Sequence, residues 1–331
     1  MGNIYDSGIQ IILLFQKLGD WIIPTMKTFT FLGEKEFFLL IAPFLYWCVD
    51  TTIGFRTAMM LIVSTSTYHY GKWLIHSPRP PWYSTAVKAH VMETSFGAPS
   101  GHSTSAVTIW GILGDSLRTK SLWTIAVILM FLIGLSRIVL AAHFPHDVLL
   151  GWVTGVLILI TFIRLEPFVK AWLDNKSNRF HYGLYFVISF AFILISLLVL
   201  MPLKDWTLPS IWIDNARQAF PGEEPINPMS LSDEITIAGV FLGLAVGHKL
   251  LFSRNGYTTK GIWWKLSLRY PVGVLGVFSI WFGLDLVFPD GDSVIAYLFR
   301  YLRYSLVGFW VTFLAPTLFI TLKLAKPSRS K

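Results

Sequence analysis

Three short polar clusters interrupt an otherwise apolar chain, and their residue types suit the handling of a phosphoryl group. Lys72 with Arg79-Pro80 forms the first, Pro99-Ser100-Gly101-His102 the second, and Ser136-Arg137 with His143 and Asp147 the third. Arginine presents a planar fork to phosphate oxygens, and lysine a mobile point charge. Gly101 lets the backbone approach an anion closely, and the free N–H groups of a helix starting near Ser103 suit anion binding. Ser100 either adds a hydroxyl to that cradle or simply caps the helix. His102 has the acid–base range needed for proton transfer. Asp147 follows His143 by four residues, so its carboxylate can accept the Nδ1 proton and leave Nε2 free to attack phosphorus.

The elements that position these clusters are membrane spans. The chain has 331 residues, of which 54% are apolar and 14% charged, against about 25% charged in ordinary soluble domains. Mean hydropathy is +0.58. Stretches approaching the ~20 residues that cross a bilayer recur along the sequence. They predict an all-α polytopic bundle of about nine spans: Phe37–Val49, Gly54–Ile75, Ser103–Leu117, Leu122–Leu140, Asp147–Leu165, His181–Leu200, Ile235–Leu251, Leu266–Phe288 and Tyr304–Leu322. Ahead of them, Ile9–Met26 mixes aliphatic residues with Lys17, Asp20 and Trp21, the pattern of an amphipathic helix lying in the membrane interface, with a tenth, poor span as the alternative. No cleavable signal pattern stands at the N-terminus.

Domain organisation follows the same division. Residues 1–32 form the interfacial segment, 33–165 the motif-bearing core, and 166–331 about four further spans without motifs. Rows of glycine at four-residue spacing, Gly151/Gly155 and Gly239/Gly243/Gly247, predict close helix packing inside one subunit rather than a dimer seam. Lys72 and Arg79 are expected on one helix face, with Pro78 and Pro80 ending that helix. His146 reads as an interface residue, and His76, between Lys72 and Arg79, as structural with the lining of the pocket as its alternative. Trp82 and Tyr83 read as headgroup anchors, and Asp285 as a partner for Arg300 or Arg303.

The net charge of +8 is spread over loops and forms no dense patch, so no nucleic-acid partner is expected. Alternation of the spans collects most loop bases on one side. These include Arg118/Lys120, Arg164 to Arg179, Arg254/Lys260/Lys265 and the tail from Lys323 to Lys331. By the positive-inside rule that side is cytoplasmic, which places every motif at the extracytoplasmic face. The single cysteine, Cys48, excludes an intrachain disulfide.

The three signatures, complete and in this order, resemble those of the type 2 phosphatidic acid phosphatase superfamily, which includes lipid phosphate phosphatases, glucose-6-phosphatase and vanadium haloperoxidases. The resemblance covers about Gly33 to Leu165. It implies that His143 is a nucleophile forming a phosphohistidine, and that Asp147 orients it. It also implies that His102 protonates the leaving alcohol and then activates water. Lys72, Arg79, Ser100, Gly101 and Arg137 would hold the phosphoryl oxygens, and no metal or other cofactor is required. The residues agree with that last point: Asp147 is the one carboxylate within the motifs and Glu93 the one acid between the first two, whereas magnesium sites recruit carboxylates. The expected partners are the bilayer and a membrane lipid phosphate: phosphatidate, phosphatidylglycerol phosphate, a polyprenyl diphosphate or a sphingoid phosphate. A glucose-6-phosphatase-like hydrolase of a soluble ester is the enzymatic alternative. A non-catalytic lipid carrier is the other, though it would have no use for both histidines together with Asp147.

Overall fold

The computed structural model describes residues 2–223, 226–254 and 256–328. Among the described residues the chain is helical, with a single isolated β-bridge between Thr258 and Lys326. The first helices are α1 (Gly2–Gln16), α2 (Ile23–Phe31), α3 (Lys35–Phe44), α4 (Thr51–Ile75) and the short α5 (Pro80–Tyr83). Next, α6 (Gly101–Ser105) continues through a π-helical turn at Ala106–Trp110 into α7 (Gly111–Leu117). Then come α8 (Lys120–Val139), α9 (Pro145–Asp174), α10 (Asn178–Leu200), α11 (Ser210–Ala219), α12 (Ser232–Arg254), α13 (Trp263–Asp285), α14 (Val294–Phe309) and α15 (Ala315–Thr321).

Six helical segments are long and apolar enough to cross a bilayer: Lys120–Val139, Pro145–Asp174, Asn178–Leu203, Ser232–Arg254, Trp263–Asp285 and Val294–Thr321. The other three expected spans fall short, each for a physical reason. The first is broken, because α3 stops at Phe44 and a π-helical turn covers Leu45–Val49. Helix α4 has the length, but it carries Ser64, Thr65, Ser66 and Lys72 as buried residues. The helix from Gly101 to Leu117 is short, and it buries Ser103, Thr104, Ser105 and Thr108. One pair of these hydroxyls meets inside protein, Thr108 Oγ1 donating to Ser64 Oγ at 3.1 Å. Buried hydroxyls and a buried lysine lower the hydropathy of these helices below that of a lipid-facing span.

The chain divides into two compact units that are not contiguous in sequence. The first comprises 1–38, 63–164 and 198–229, and it contains all three polar clusters. Its glycines Gly151 and Gly155 on α9 lie against the helix that starts at Gly101. A Cβ on Gly151 would come within 2.7 Å of the Ser100 carbonyl, and one on Gly155 within 2.7 Å of Val107 Cβ. The second unit comprises 39–62, 165–197 and 230–331. There the backbone of α14 crosses the Gly239/Gly243/Gly247 row, where a Cβ on Gly243 would clash with the Ser305 carbonyl. Both glycine rows thus pack within the subunit. The second unit's core gathers Tyr46, Trp47, Leu244, Leu251, Phe313 and Phe319. Asp285 pairs with Arg303. The last three residues of the basic tail, 329–331, lie outside the described residues.

The N-terminal segment is two helices rather than one, with the break at Gly19, whose φ of 87° suits glycine. Helix α1, about 22 Å long at 1.5 Å per residue, turns Ile9 and Ile12 inward against Val87, Ala141 and Phe144. Its other side exposes Ile4, Ile11 and Leu14.

Candidate active site

The first cluster is built differently from the single helix face expected. Helix α4 ends at Ile75, and His76 takes a left-handed φ of 39° while its N–H still donates to the Lys72 carbonyl at 2.8 Å. The chain therefore turns away before Pro78. Lys72 stays in the last turn of α4, and Arg79 lies beyond it in extended backbone before α5. Lys72 Nζ donates to Ser95 Oγ at 2.7 Å. Arg79 Nη2 donates to the same oxygen at 3.0 Å, so Ser95 joins the two cations of the cluster. His76 packs its ring on Phe96 and Trp206. Trp82 is no headgroup anchor, since it is buried and its carbonyl accepts from Asn215 Nδ2 at 2.9 Å.

The second cluster opens α6. Ser100 is the N-cap, its hydroxyl oxygen accepting from the Ser103 N–H at 3.4 Å and from Ser103 Oγ at 3.0 Å. Of its two anticipated uses, capping is the one the contacts display. Gly101 lies under Tyr68, where a Cβ would sit 3.0 Å from the ring. His102 places its Nε2 in a buried position with no hydrogen-bond partner among the described residues.

The third cluster is organised by the end of α8. Ala141 adopts a left-handed φ of 56°, and the N–H groups of Ala142 and His143 return to the Arg137 carbonyl at 2.9 and 3.2 Å. This closure points the Ala142 carbonyl and the His143 ring at Arg79. Arg79 Nη1 donates to the Ala142 carbonyl at 2.9 Å and faces His143 Nε2 at 3.2 Å. A guanidinium only donates, so His143 Nε2 is the accepting, unprotonated nitrogen and its proton resides on Nδ1. That atom faces Asp147 Oδ2 at 3.4 Å, within ion-pair range and long for a hydrogen bond. The same carboxylate oxygen accepts from the Phe144 N–H at 3.0 Å, which fixes it. Burial first, and then Arg79, Arg137 and Lys72, push the His143 imidazole well below its ordinary pKa. It is neutral at physiological pH, the form a nucleophile requires.

Two neighbours escaped sequence reasoning. His146, which reads as interfacial in the sequence, holds its Nε2 3.3 Å from Asp147 Oδ1 and stacks its ring on Phe144. Adjacent side chains in a first helical turn can converge when one is short, which helical angles alone do not reveal. Glu93 was read only as an acid in a loop. It sits among the cations, pairing one oxygen with Arg137 and the other with Arg79 Nη2 at 3.4 Å. Its signal was present in the sequence as the lone acid between the first two motifs. Arg137 is fixed from its other side by Thr30, whose Oγ1 accepts from Nη1 at 2.5 Å.

The structure thus brings Lys72, Arg79, Arg137, His143 and Asp147 into one connected network. Ser100 joins it through its backbone N–H, which donates to the Asp147 carbonyl at 3.0 Å. The arrangement offers a neutral imidazole nitrogen facing a guanidinium, a carboxylate behind that imidazole, and further cations around it. Such a set can polarise and attack a tetrahedral oxyanion.

Comparison with known proteins bears on this geometry. The model of the PAP2 superfamily matches residues 53–171, a stretch that contains all eight candidate residues. A second model, PAP2 superfamily phosphatase, transmembrane extension, matches residues 235–327. Among similar proteins, Glucose-6-phosphatase 3 of Bos taurus is 26% identical over 355 residues, covering 96% of each chain. Its namesake in Homo sapiens is 25% identical, covering 96% of this chain and 95% of its own. A Probable sphingosine-1-phosphate phosphatase of Dictyostelium discoideum is 26% identical over 56% of this chain and 49% of its own. No solved structure matches significantly.

Proposed function

The chain belongs to the PAP2 superfamily and is a membrane phosphatase, and on that premise we propose that it hydrolyses a phosphate monoester through a phosphohistidine formed on His143. The placement of His143 between Arg79 and Asp147 carries this reading. Nε2 attacks phosphorus, and the P–O bond to the alcohol breaks. A proton held at His102 passes to the departing oxygen. Asp147 stabilises the positive charge that develops on the imidazole once Nε2 is bonded. Water then attacks the phosphohistidine, giving its proton to His102, and orthophosphate leaves with His143 restored. Lys72, Arg79 and Arg137 neutralise the equatorial oxygens, the task a metal ion performs elsewhere, so the step is written without one.

For the substrate we propose a lipid phosphate. Helix α1 supports this: Tyr5 packs on Phe144 and His146, next to the nucleophile, while the helix exposes Ile4, Ile11 and Leu14 on its other side. Such a helix suits the bilayer interface and would bring a headgroup to the depth of the site. A second reading, a soluble sugar phosphate, is favoured by the end-to-end match to proteins named glucose-6-phosphatase 3. Phosphate release by the purified protein should be measured on phosphatidate, a sphingoid phosphate and glucose 6-phosphate, with EDTA or orthovanadate added. The proposal expects turnover that survives EDTA, falls with vanadate and is highest on a lipid. Highest turnover on glucose 6-phosphate selects the second reading, and complete loss on chelation with recovery in magnesium refutes the mechanism.

A further inference from the structure

Glu93 places a carboxylate where the mechanism needs phosphoryl oxygens. One of its oxygens pairs with Arg137 Nη2 and the other with Arg79 Nη2, so it spans the two guanidiniums as two oxygens of a phosphate would. A simple role would be to hold those arginines in position, but the remaining contacts already do so. Arg79 is tied by Nε to the Ser95 carbonyl at 2.5 Å, by Nη1 to Ala142, and by Nη2 to Ser95 Oγ and to the Phe96 carbonyl at 3.2 Å. The two Nη2 hydrogens therefore face three acceptors, and Glu93 at 3.4 Å is the most distant. Arg137 keeps Thr30 through Nη1. Releasing Glu93 would leave both guanidiniums anchored and free one donor on each toward the same space.

The side chain has somewhere to go. It is 25% exposed, whereas those of Arg79 and Arg137 are 1% exposed. Glu93 also precedes the residues that anchor Arg79, so a rotation of its own side chain does not disturb Ser95 or Phe96. Electrostatics gives the exchange a direction. A carboxylate brings one negative charge to the guanidinium pair, and a phosphate monoester dianion brings two with a third oxygen for Lys72.

We propose that Glu93 is an internal competitor for the phosphoryl site, a carboxylate that occupies the Arg79–Arg137 pair until a tetrahedral dianion displaces it. This rests on the reading of those arginines as phosphate-holding groups. Glu93 then sets the affinity for substrate and product phosphate and screens the site against singly charged anions. When the competent state is only a fraction of the population, the apparent dissociation constant is raised by the inverse of that fraction. A site closed by Glu93 about nine-tenths of the time would bind phosphate about tenfold more weakly than one without it.

The test compares the full-length protein with Glu93→Gln and Glu93→Asp in detergent. It measures inhibition constants for orthophosphate and vanadate, KM and kcat separately, and the shift in unfolding temperature caused by orthophosphate. In Glu93→Gln the inhibition constants and KM should fall about tenfold, and orthophosphate should raise the unfolding temperature more than in the native protein. Acetate, a monoanion, should become an inhibitor. Aspartate is one methylene shorter and spans the pair less well, so it should give an intermediate fall, and it keeps the test open if the glutamine variant does not fold. Unchanged or raised inhibition constants with a lowered kcat would overturn the proposal and make Glu93 a positioning residue for the arginines. A native protein insensitive to both orthophosphate and vanadate would instead refute the phosphate-site reading on which the proposal stands.

Discussion

Arg79→Lys keeps the charge of the first cluster and removes the fork, which makes it the sharpest test of the site. Arg79 has five N–H hydrogens, and they face six acceptors: the Ser95, Phe96 and Ala142 carbonyls, Ser95 Oγ, Glu93 and His143 Nε2. Lysine has three N–H hydrogens on one atom, so at least two donations are lost. The guanidinium is 1% exposed, and water cannot readily replace them. An abandoned buried acceptor costs about 1 to 3 kcal/mol, so the substitution should destabilise the protein by about 2 to 6 kcal/mol. That is a large part of the roughly 5 to 15 kcal/mol that holds a domain folded. Activity should suffer separately, because the donor facing His143 Nε2 is the one placed to follow phosphorus into the transition state. Loss of one such preorganised donor typically lowers kcat by about 10² to 10³. Thermal unfolding in detergent and kcat on the folded fraction at a temperature well below the transition separate the two effects. A lysine variant within threefold of native kcat would refute the assignment of Arg79 to the phosphoryl group, whatever its stability.

The two histidines should fail differently. His143→Ala should abolish formation of any acid-labile phosphoenzyme, whereas His102→Ala, losing general acid help worth about 10² to 10⁴, should retain slow turnover of p-nitrophenyl phosphate; equal residual activities would contradict the roles. For pH, His143 is depressed below the ordinary value of about 6.5, chiefly by burial and then by Arg79, Arg137 and Lys72. The acid limb of kcat/KM should therefore lie below 6.5. The unfolded chain takes up its proton first, so stability should fall as pH drops from about 6.5 toward the folded pKa; a limb above 7 would contradict this. Topology is testable in a Cys48→Ser background. A cysteine at Lys88, whose side chain is 63% exposed, should react with an impermeant thiol reagent from outside. One at Lys260 should react only after the cytoplasmic face is opened, and the reverse pattern would place the site in the cytoplasm.

Much of the site was legible because its chemistry is tied to residue type and to local spacing. His143 and Asp147 straddle the start of α9, and Ser100 caps the helix that follows it. Both relations span four residues or fewer, a range in which backbone geometry is nearly determined by sequence. The longer relation failed. A spacing of seven residues, with prolines at 78 and 80, predicts Lys72 and Arg79 on one helix face, whereas His76 ends the helix in a left-handed conformation that nothing in its residue type demands. The two cations nevertheless meet, through Ser95, in a loop whose course depends on tertiary packing.

Six of the nine expected spans meet the length and hydropathy of a bilayer span, and composition explains why the other three do not. Hydropathy averages a whole helix, buried face included, and α4 and the helix from Gly101 to Leu117 both bury polar residues, among them Ser64 and Thr108, which pair with each other. The chemistry is thus shared between two helices of low hydropathy, which carry Lys72 and His102, and two apolar ones, α8 and α9, which carry Arg137 and Asp147. The transmembrane extension at residues 235–327 shows the converse. It is apolar, contains none of the motifs, and was visible as spans but not as part of a family. Glu93 sits between these cases. Its type was plain in the sequence, but whether a lone acid 14 residues from Arg79 and 44 from Arg137 reaches them is decided by the fold of the 84–100 loop. The Glu93 carboxylate, held between two arginines, gives this cluster its charge, and under the proposal above it is the group that an incoming phosphate displaces.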